Sequence, residues 1–200
     1  MQYDQDVFKN QFLIVKRFFY HVIYYRSISN GYQEHQLQNE FWTLTIDAHL
    51  GQATMNLCMV FGSDGCNPTH WKRLSKEQSK ELTQSFRDGL FQELDLDKSA
   101  WDKYWNSFKD FRDNFVAHRE LNFSRPVPYF DTAFDVACYY DKWVRKIISP
   151  KKIISPHKCE EPSLEQFAMS LKQSVTQLVN KLLISHRRVH VTRKFVGILV

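Results

Sequence analysis

The sequence has few of the residues that interrupt regular structure. Glycine and proline number only six each among 200 residues, which is too few for the many tight turns of a β-sandwich. Hydrophobic residues make up 43% of the chain, a share typical of a globular rather than a disordered protein. We therefore expect an all-α fold.

Long hydrophobic runs are also missing. The most apolar segment, residues 12–25, is short and contains Lys16, Arg17 and His21, so we expect no membrane-spanning helix. The first ten residues, MQYDQDVFKN, are polar and acidic and do not resemble a secretory signal. The four cysteines include no C-x-x-C pair. Together these features predict a reduced, cytoplasmic protein.

The chain contains none of the short motifs that bind phosphate cofactors or catalytic metals. It has no glycine-rich phosphate loop and no G-x-S-x-G segment. Its histidines show neither H-E-x-x-H nor E-x-x-H spacing, which a metal site in a helical bundle would favour. We therefore predict no cofactor and no metal. His21, His35, His49 and His70 in particular lack both spacings.

The net charge is modestly positive. The chain carries a formal charge of +5 at pH 7, with a pI of about 9.0. This balance is compatible with a nucleic-acid partner but does not require one. Part of the excess lies in residues 185–194, SHRRVHVTRK, which would either follow an RNA backbone or form a solvated tail.

Apolar residues recur at helical spacing along most of the chain. The first helix is apolar on most sides and is expected at the centre of the bundle, with Gly31 as a left-handed cap after its end. Ser99 is expected to cap the fourth helix, with Asp102 as its capping-box partner. The predicted helices cover residues 4–27, 33–61, 76–94, 99–120, 131–148 and 163–185.

The second predicted helix carries an apolar stripe at alternating spacings of three and four residues. Small residues lie in the middle of this stripe, which would allow a neighbouring helix to approach closely. The stripe consists of Phe41, Leu44, Ala48, Gly51, Met55 and Cys58.

The chain divides at a proline-bearing segment. We predict a helical bundle over residues 1–148 and a linker over residues 149–162. The string KIISP occurs twice around the start of this linker, at residues 146–150 and 152–156. The amphipathic helix over residues 163–185 must pack either on this bundle or on a second copy. Residues 186–200 are predicted to form a poorly ordered tail or a short strand.

The segment FRDNFVAHRE, residues 111–120, holds the candidate functional residues. Arg112 offers a permanently charged planar fork that suits phosphate, and His118 can exchange protons near neutral pH. The fourth predicted helix has its own apolar stripe of aromatic residues: Trp101, Tyr104, Trp105, Phe108, Phe111 and Phe115. On an ideal helix Arg112 lies within about 20° of Trp101, in the middle of this stripe. A buried charge there must be paired, for example with a core carboxylate such as Asp47, or must line the floor of a cleft.

One copy of this helix would make an incomplete site. His118 lies about 120° around the ideal helix from Arg112 and ~9 Å along it, so the two side chains would not meet. Asn114 and His118 are four residues apart and share a face, so the amide could orient the imidazole. Two copies meeting across a two-fold axis would bring Arg112 and His118 of each chain to one cleft.

Residues 112–120, RDNFVAHRE, resemble the signature of the HEPN superfamily: an arginine, an adjacent polar residue and a histidine a few residues further on. The second helix, EFWTLTIDAHLGQATMNLCMVF, followed by a loop with NPTHWKRL, is similar to the abortive-infection branch of that superfamily. The resemblance covers roughly residues 30–145.

The resemblance implies a HEPN-like all-α bundle that forms a homodimer through the motif helix. It also implies a metal-independent endoribonuclease in a toxin or phage-defence setting, with RNA as substrate and an antitoxin as a possible partner. Carried over to this chain, His118 would be the general acid and base, and Arg112 would stabilise the phosphate and the transition state. Asp113 would position them, supported by Asn114.

One position departs from the family pattern. Members partnered with nucleotidyltransferase-type antitoxins carry a tyrosine two residues after the histidine, where this chain has Glu120. Modification at that position is therefore not expected. The family also includes inactive members, so the alternative is a non-catalytic bundle that acts as an RNA-binding or protein-interaction module. A nucleotide-sensing role is a third interpretation.

Overall fold

The computed structural model describes residues 3–36, 39–118, 121, 126–148 and 162–196, with side chains of the last segment described as far as Leu183. Within these ranges the chain forms helices and no strands, which confirms the predicted all-α fold. None of the described helices is both long and apolar enough to cross a membrane. The α-helices are α1 (Gln5–Glu34), α2 (Glu40–Phe61), α3 (Ser79–Leu94), α4 (Lys98–Phe111), α5 (Phe130–Ile148) and α6 (Leu164–Val196).

Helix α1 contacts α2, α5 and α6, in agreement with its expected central position. It continues through Gly31 to Glu34, so the predicted glycine cap is wrong. Gly31 is buried, and a Cβ atom added there would lie 2.5 Å from Leu183 Cδ1 and 3.2 Å from Val179 Cγ1 of α6. The missing side chain therefore allows two helices to approach closely. The left-handed residue near this helix end is Gln36, with φ of 49°.

Side-chain caps fix two helix starts that the sequence pattern misplaced. Helix α2 begins at Glu40, because the Asn39 side chain accepts a hydrogen bond from the Phe41 N–H at 2.8 Å. Helix α4 is capped by Asp97, whose Oδ1 accepts from the Ala100 N–H at 2.7 Å, and not by Ser99. Part of the predicted loop before α3 forms a short 3-10 helix, Trp71–Leu74.

Helix α6 packs in cis on α1, which answers one question the sequence left open. Its Phe167 ring meets Tyr20 edge to face at 5.1 Å, and Asp141 of α5 accepts a hydrogen bond from the Leu164 N–H at 2.8 Å. The helix continues to Val196, so the predicted tail or strand is wrong over residues 186–196. No glycine or proline interrupts this stretch. Residues 149–161 of the predicted linker lie outside the described residues.

The glycine that ends α2 gives a testable prediction. A Cβ atom on Gly62 would collide with the carbonyl oxygen of Cys58, which also accepts the Gly62 N–H at 2.9 Å. Because that oxygen belongs to the backbone of a buried helix, Gly62→Ala should reduce the free energy of unfolding by about 1–3 kcal/mol, measured by urea denaturation. Gly65→Ala is the control, since nothing lies within 4 Å of its added Cβ. Equal stability of both variants would contradict the prediction.

Candidate functional site

The motif segment does not continue as an α-helix. Helix α4 ends at Phe111, and residues Arg112–Ala117 form a π-helix. His118 leaves it with extended backbone angles, φ −129° and ψ 106°, while its N–H donates to the Asp113 carbonyl at 3.0 Å. The predicted α-helix over residues 99–120 is therefore wrong in its last turns. π-helical turns are rare and occur often at functional sites.

Arg112 is paired with its chain neighbour. Its Nε and Nη2 atoms both lie 2.7 Å from Oδ1 of Asp113. The carboxylate partner is therefore this neighbour and not Asp47. The Arg112 side chain is 23% exposed and that of Asp113 is 52% exposed. The pair thus lies at the surface, where the guanidinium can reach a ligand.

Cys58 of α2 lies near Arg112, and the sequence did not assign it to the site. Burial raises the pKa of the Cys58 thiol to about 11, and a hydrogen bond and the charge of Arg112 oppose this shift only in part. The thiol is therefore neutral near pH 7. Cys58 was visible in the sequence only as the last position of the α2 stripe.

The motif segment packs along α2. Val116 Cγ1 lies 3.6 Å from the position that a Cβ on Gly51 would occupy, and Arg112 lies near Cys58, two turns further along α2. Within the motif, the rings of Phe111 and Phe115 stack at 4.9 Å. These contacts fix the segment on the bundle.

The Asn114 amide does not orient the His118 imidazole as the sequence predicted. Its amide nitrogen donates to Asp110 Oδ1 at 2.8 Å. Because the backbone becomes extended at His118, this imidazole leaves the face that it would share with Asn114 in an α-helix. The His118 side chain is exposed. Among the residues that the structure describes, no hydrogen bond joins this imidazole to Arg112, Asp113 or Asn114.

Two other histidines form a pair between α1 and α2. Nδ1 of His21 lies 2.9 Å from Nδ1 of His49. Burial lowers the pKa of both, and for His21 the nearby charges of His49 and Arg17 lower it further. One neutral ring therefore donates to the other. Within the described ranges, no three His, Cys, Asp or Glu side chains cluster as metal ligands would.

His70 is a buried structural group. Its Nε2 lies 3.0 Å from the Gly62 carbonyl oxygen, and its Nδ1 accepts the Lys72 N–H at 3.2 Å. Both nitrogens are satisfied when the ring is neutral with its proton on Nε2. Burial, followed by the charge of Lys72, lowers the pKa of His70 to about 4.

The lowered pKa of His70 predicts that the folded protein loses stability in acid. The folded chain binds the His70 proton more weakly than the unfolded chain, whose pKa is 6.5. Stability is therefore full above pH 6.5 and falls as the pH drops toward 4. Between pH 7 and pH 5 we expect a loss of about 2 kcal/mol from this group, measured by urea denaturation. The His70→Asn variant should have a shallower pH dependence. An identical slope, or an imidazole that titrates near 6.5 by NMR, would refute the assignment.

A cleft of about 370 Å³ lies between α3, α5 and the start of α6. Three carboxylates line it together with one lysine, and that lysine, Lys142, is paired with Glu93 at 2.7 Å. The remaining negative charge would repel a phosphate backbone. This cleft therefore does not fit a nucleic-acid substrate, and the motif segment is the better candidate.

Comparison with protein-family models, with curated proteins and with solved structures finds no match to this chain. The function must therefore be argued from the site itself. That site consists of a surface Arg112–Asp113 pair beside α2 and an exposed His118 at the end of a π-helix.

Proposed function

We propose that this chain is a HEPN-type, metal-independent endoribonuclease whose active site is assembled from two copies. The observation that carries the proposal is the partly exposed guanidinium of Arg112, held by Asp113 on the same surface segment as the exposed imidazole of His118. A toxin or phage-defence setting in the cytoplasm, with or without an antitoxin, follows from the resemblance of residues 112–120 to that superfamily.

Arg112 is suited to bind the scissile phosphate. A guanidinium carries five N–H donors in a planar fork, and Asp113 contacts it through a single oxygen. Further N–H groups thus remain for the phosphate oxygens. Asp113 fixes the orientation of the fork, so little conformational entropy is lost when the phosphate binds.

In the proposed reaction, His118 of one copy removes the proton from a ribose 2′-hydroxyl. The 2′-oxygen forms a bond to the adjacent phosphorus, and Arg112 stabilises the negative charge that develops there. The bond from phosphorus to the 5′-oxygen breaks, and protonated His118 of the other copy gives its proton to the departing oxygen. The products are a 2′,3′-cyclic phosphate and a 5′-hydroxyl.

The position of His118 favours a composite site. Because this imidazole has left the helix that carries Arg112, one chain offers the phosphate-binding group and the proton-transfer group as separate parts. A two-fold axis would supply two imidazoles and two guanidinium groups to one cleft. One imidazole could then act as base while the other acts as acid.

The test is cleavage of end-labelled RNA by the full chain in the presence of EDTA. We expect cleavage that does not require a divalent cation, with 2′,3′-cyclic phosphate ends that resist direct ligation. Products with 5′-phosphate ends, or cleavage lost on chelation, would refute the proposed chemistry.

A second candidate function is a non-catalytic module that binds RNA or protein. The close Arg112–Asp113 ion pair favours it, because the carboxylate already balances the charge that a transition state would need. Under this alternative the chain shifts a fluorescent RNA in an anisotropy assay but leaves it intact. Binding without cleavage would therefore select this function over the endoribonuclease.

A further inference from the structure

Helix α2 exposes apolar side chains on one face between Phe41 and Met59. This exposed stripe shares Phe41, Leu44, Ala48 and Met55 with the predicted stripe but not Gly51 and Cys58, which lie beside the motif segment. Phe41 is 64% exposed, Leu44 is 67% exposed and Met59 is 40% exposed. Ala48 is also exposed, and Met55 is half-buried. At about 100° per residue, all five side chains fall within roughly 60° of one another on the helix. Gln52, also exposed, lies about 20° from Phe41 and interrupts this row between Ala48 and Met55. Single exposed apolar residues are ordinary, whereas several of them on one helix face mark an interaction surface.

This stripe runs beside the motif segment. Val116 packs near Gly51, and Arg112 lies near Cys58, on the α2 face next to the stripe. A molecule that covers the stripe would therefore also cover the edge of the motif segment. The surface and the candidate site are parts of one region.

We infer that the stripe binds the same stripe of a second copy, with the two α2 helices antiparallel and a two-fold axis that crosses the stripe at the level of residue 50. In this register Phe41 of one copy faces Met59 of the other, and Leu44 faces Met55. The small Ala48 lies near the axis, where two helix backbones must approach most closely. Large apolar residues thus meet at both ends, and Ala48 of one copy faces Gln52 of the other near the middle. The small Ala48 leaves room for the Gln52 side chain, so the surface can match itself as an isologous interface requires.

The stripe alone is too small to form a stable dimer interface. Eighteen residues of helix span about 27 Å, so the stripe alone covers on the order of 300 Å², below the ~800 Å² per partner of a stable interface. The adjoining motif segment must supply part of the remainder. This arrangement places the motif segments of both copies on the same side of the dimer. The inference depends on the proposed function in one respect: that function requires a second copy at the site.

The first test measures association. Leu44→Asp places a charge inside the proposed interface and should raise the dimer dissociation constant at least tenfold, about 1.4 kcal/mol, in sedimentation experiments on the full chain. Leu178→Asp is the control, because Leu178 is 56% exposed on α6, away from the stripe. Circular dichroism verifies that both variants fold. Weaker association of the control alone, or a parent that is monomeric at micromolar concentration, would overturn the inference.

The second test measures the register. We combine Phe41→Cys and Met59→Cys in one chain whose Cys66 and Cys159 are replaced by serine. The two new thiols of one chain are separated by about 27 Å, too far for a disulfide, so oxidation should give a covalent dimer. Each single cysteine variant should stay unlinked. Cross-linking of the single variants, or none in the double variant, would overturn the antiparallel register.

These outcomes separate the interface from the enzyme. A chain that dimerises through α2 but does not cleave RNA refutes the proposed function and leaves the interface standing. A chain that cleaves RNA as a dimer unaffected by Leu44→Asp supports the enzyme and refutes the interface.

Discussion

Replacing His118 with alanine should reduce RNA cleavage by roughly 10²–10⁴-fold, the usual contribution of a general acid or base. The exposed imidazole ends the π-helical segment and makes no hydrogen bond with the described motif residues, so its loss should not destabilise the bundle. Arg112→Ala should reduce the rate by about 10²–10³-fold through the loss of charge stabilisation. Arg112→Lys should recover little activity, because the planar fork is missing.

Two control variants make this test specific. His35→Ala removes a histidine at the end of α1, and Arg87→Ala removes an exposed arginine on α3. Both should cleave RNA at the parent rate. Rates are measured under single-turnover conditions, which separate the chemical step from RNA binding. Equal rates for the parent, His118→Ala and Arg112→Ala would remove both residues from the catalytic assignment.

Replacing Asp141 with alanine should lower the free energy of unfolding by about 3 kcal/mol. The Asp141 side chain is 2% exposed, accepts from Arg145 Nε at 2.8 Å and also accepts the Leu164 N–H at 2.8 Å. Its removal leaves the buried Leu164 N–H, at the start of α6, without its acceptor. It also removes the carboxylate that forms an ion pair with Arg145. Urea denaturation followed by circular dichroism measures the loss.

Two further variants test the origin of this loss. Asp141→Asn keeps one carbonyl oxygen and should cost less than alanine, because an acceptor for the Leu164 N–H remains. Asp102→Ala removes an exposed aspartate on α4 and should change stability by no more than about 0.5 kcal/mol. If Asp141→Ala were as stable as Asp102→Ala, the Asp141 contacts would not hold α6 on the bundle.

The existence of each helix could be predicted from the sequence, but several helix ends could not. Spacing of apolar residues reports which side of a helix is buried, and this pattern continues smoothly past the true end of a helix. Gly31 was predicted to end α1 because glycine favours left-handed caps. Instead it lies inside the helix, where its missing side chain leaves room for Leu183. Asp97 and Ser99 are both good capping residues, and only the structure distinguishes between them.

The residues assigned to the candidate site stay a prediction, whereas the helical shape expected for their segment was wrong. Arg112 was expected in the apolar stripe, and its side chain is indeed largely covered, but by Asp113 and the α2 surface near Cys58. The π-helix could not be predicted, because the spacing of apolar residues in this segment is equally compatible with an α-helix. That change of winding moved His118 off the helix and gave Asn114 a different partner, Asp110.

The sequence by itself determined the all-α class and the central position of α1, because these depend on residue type and spacing along one chain. It also supplied the pairing of Arg112 with His118 as candidate groups. The tertiary structure decided the winding of the motif segment, the Asp113 contact, the packing of α6 in cis and the exposure of the α2 stripe. Each of these depends on which surfaces meet, and such distant contacts are set by packing between helices rather than by local pattern.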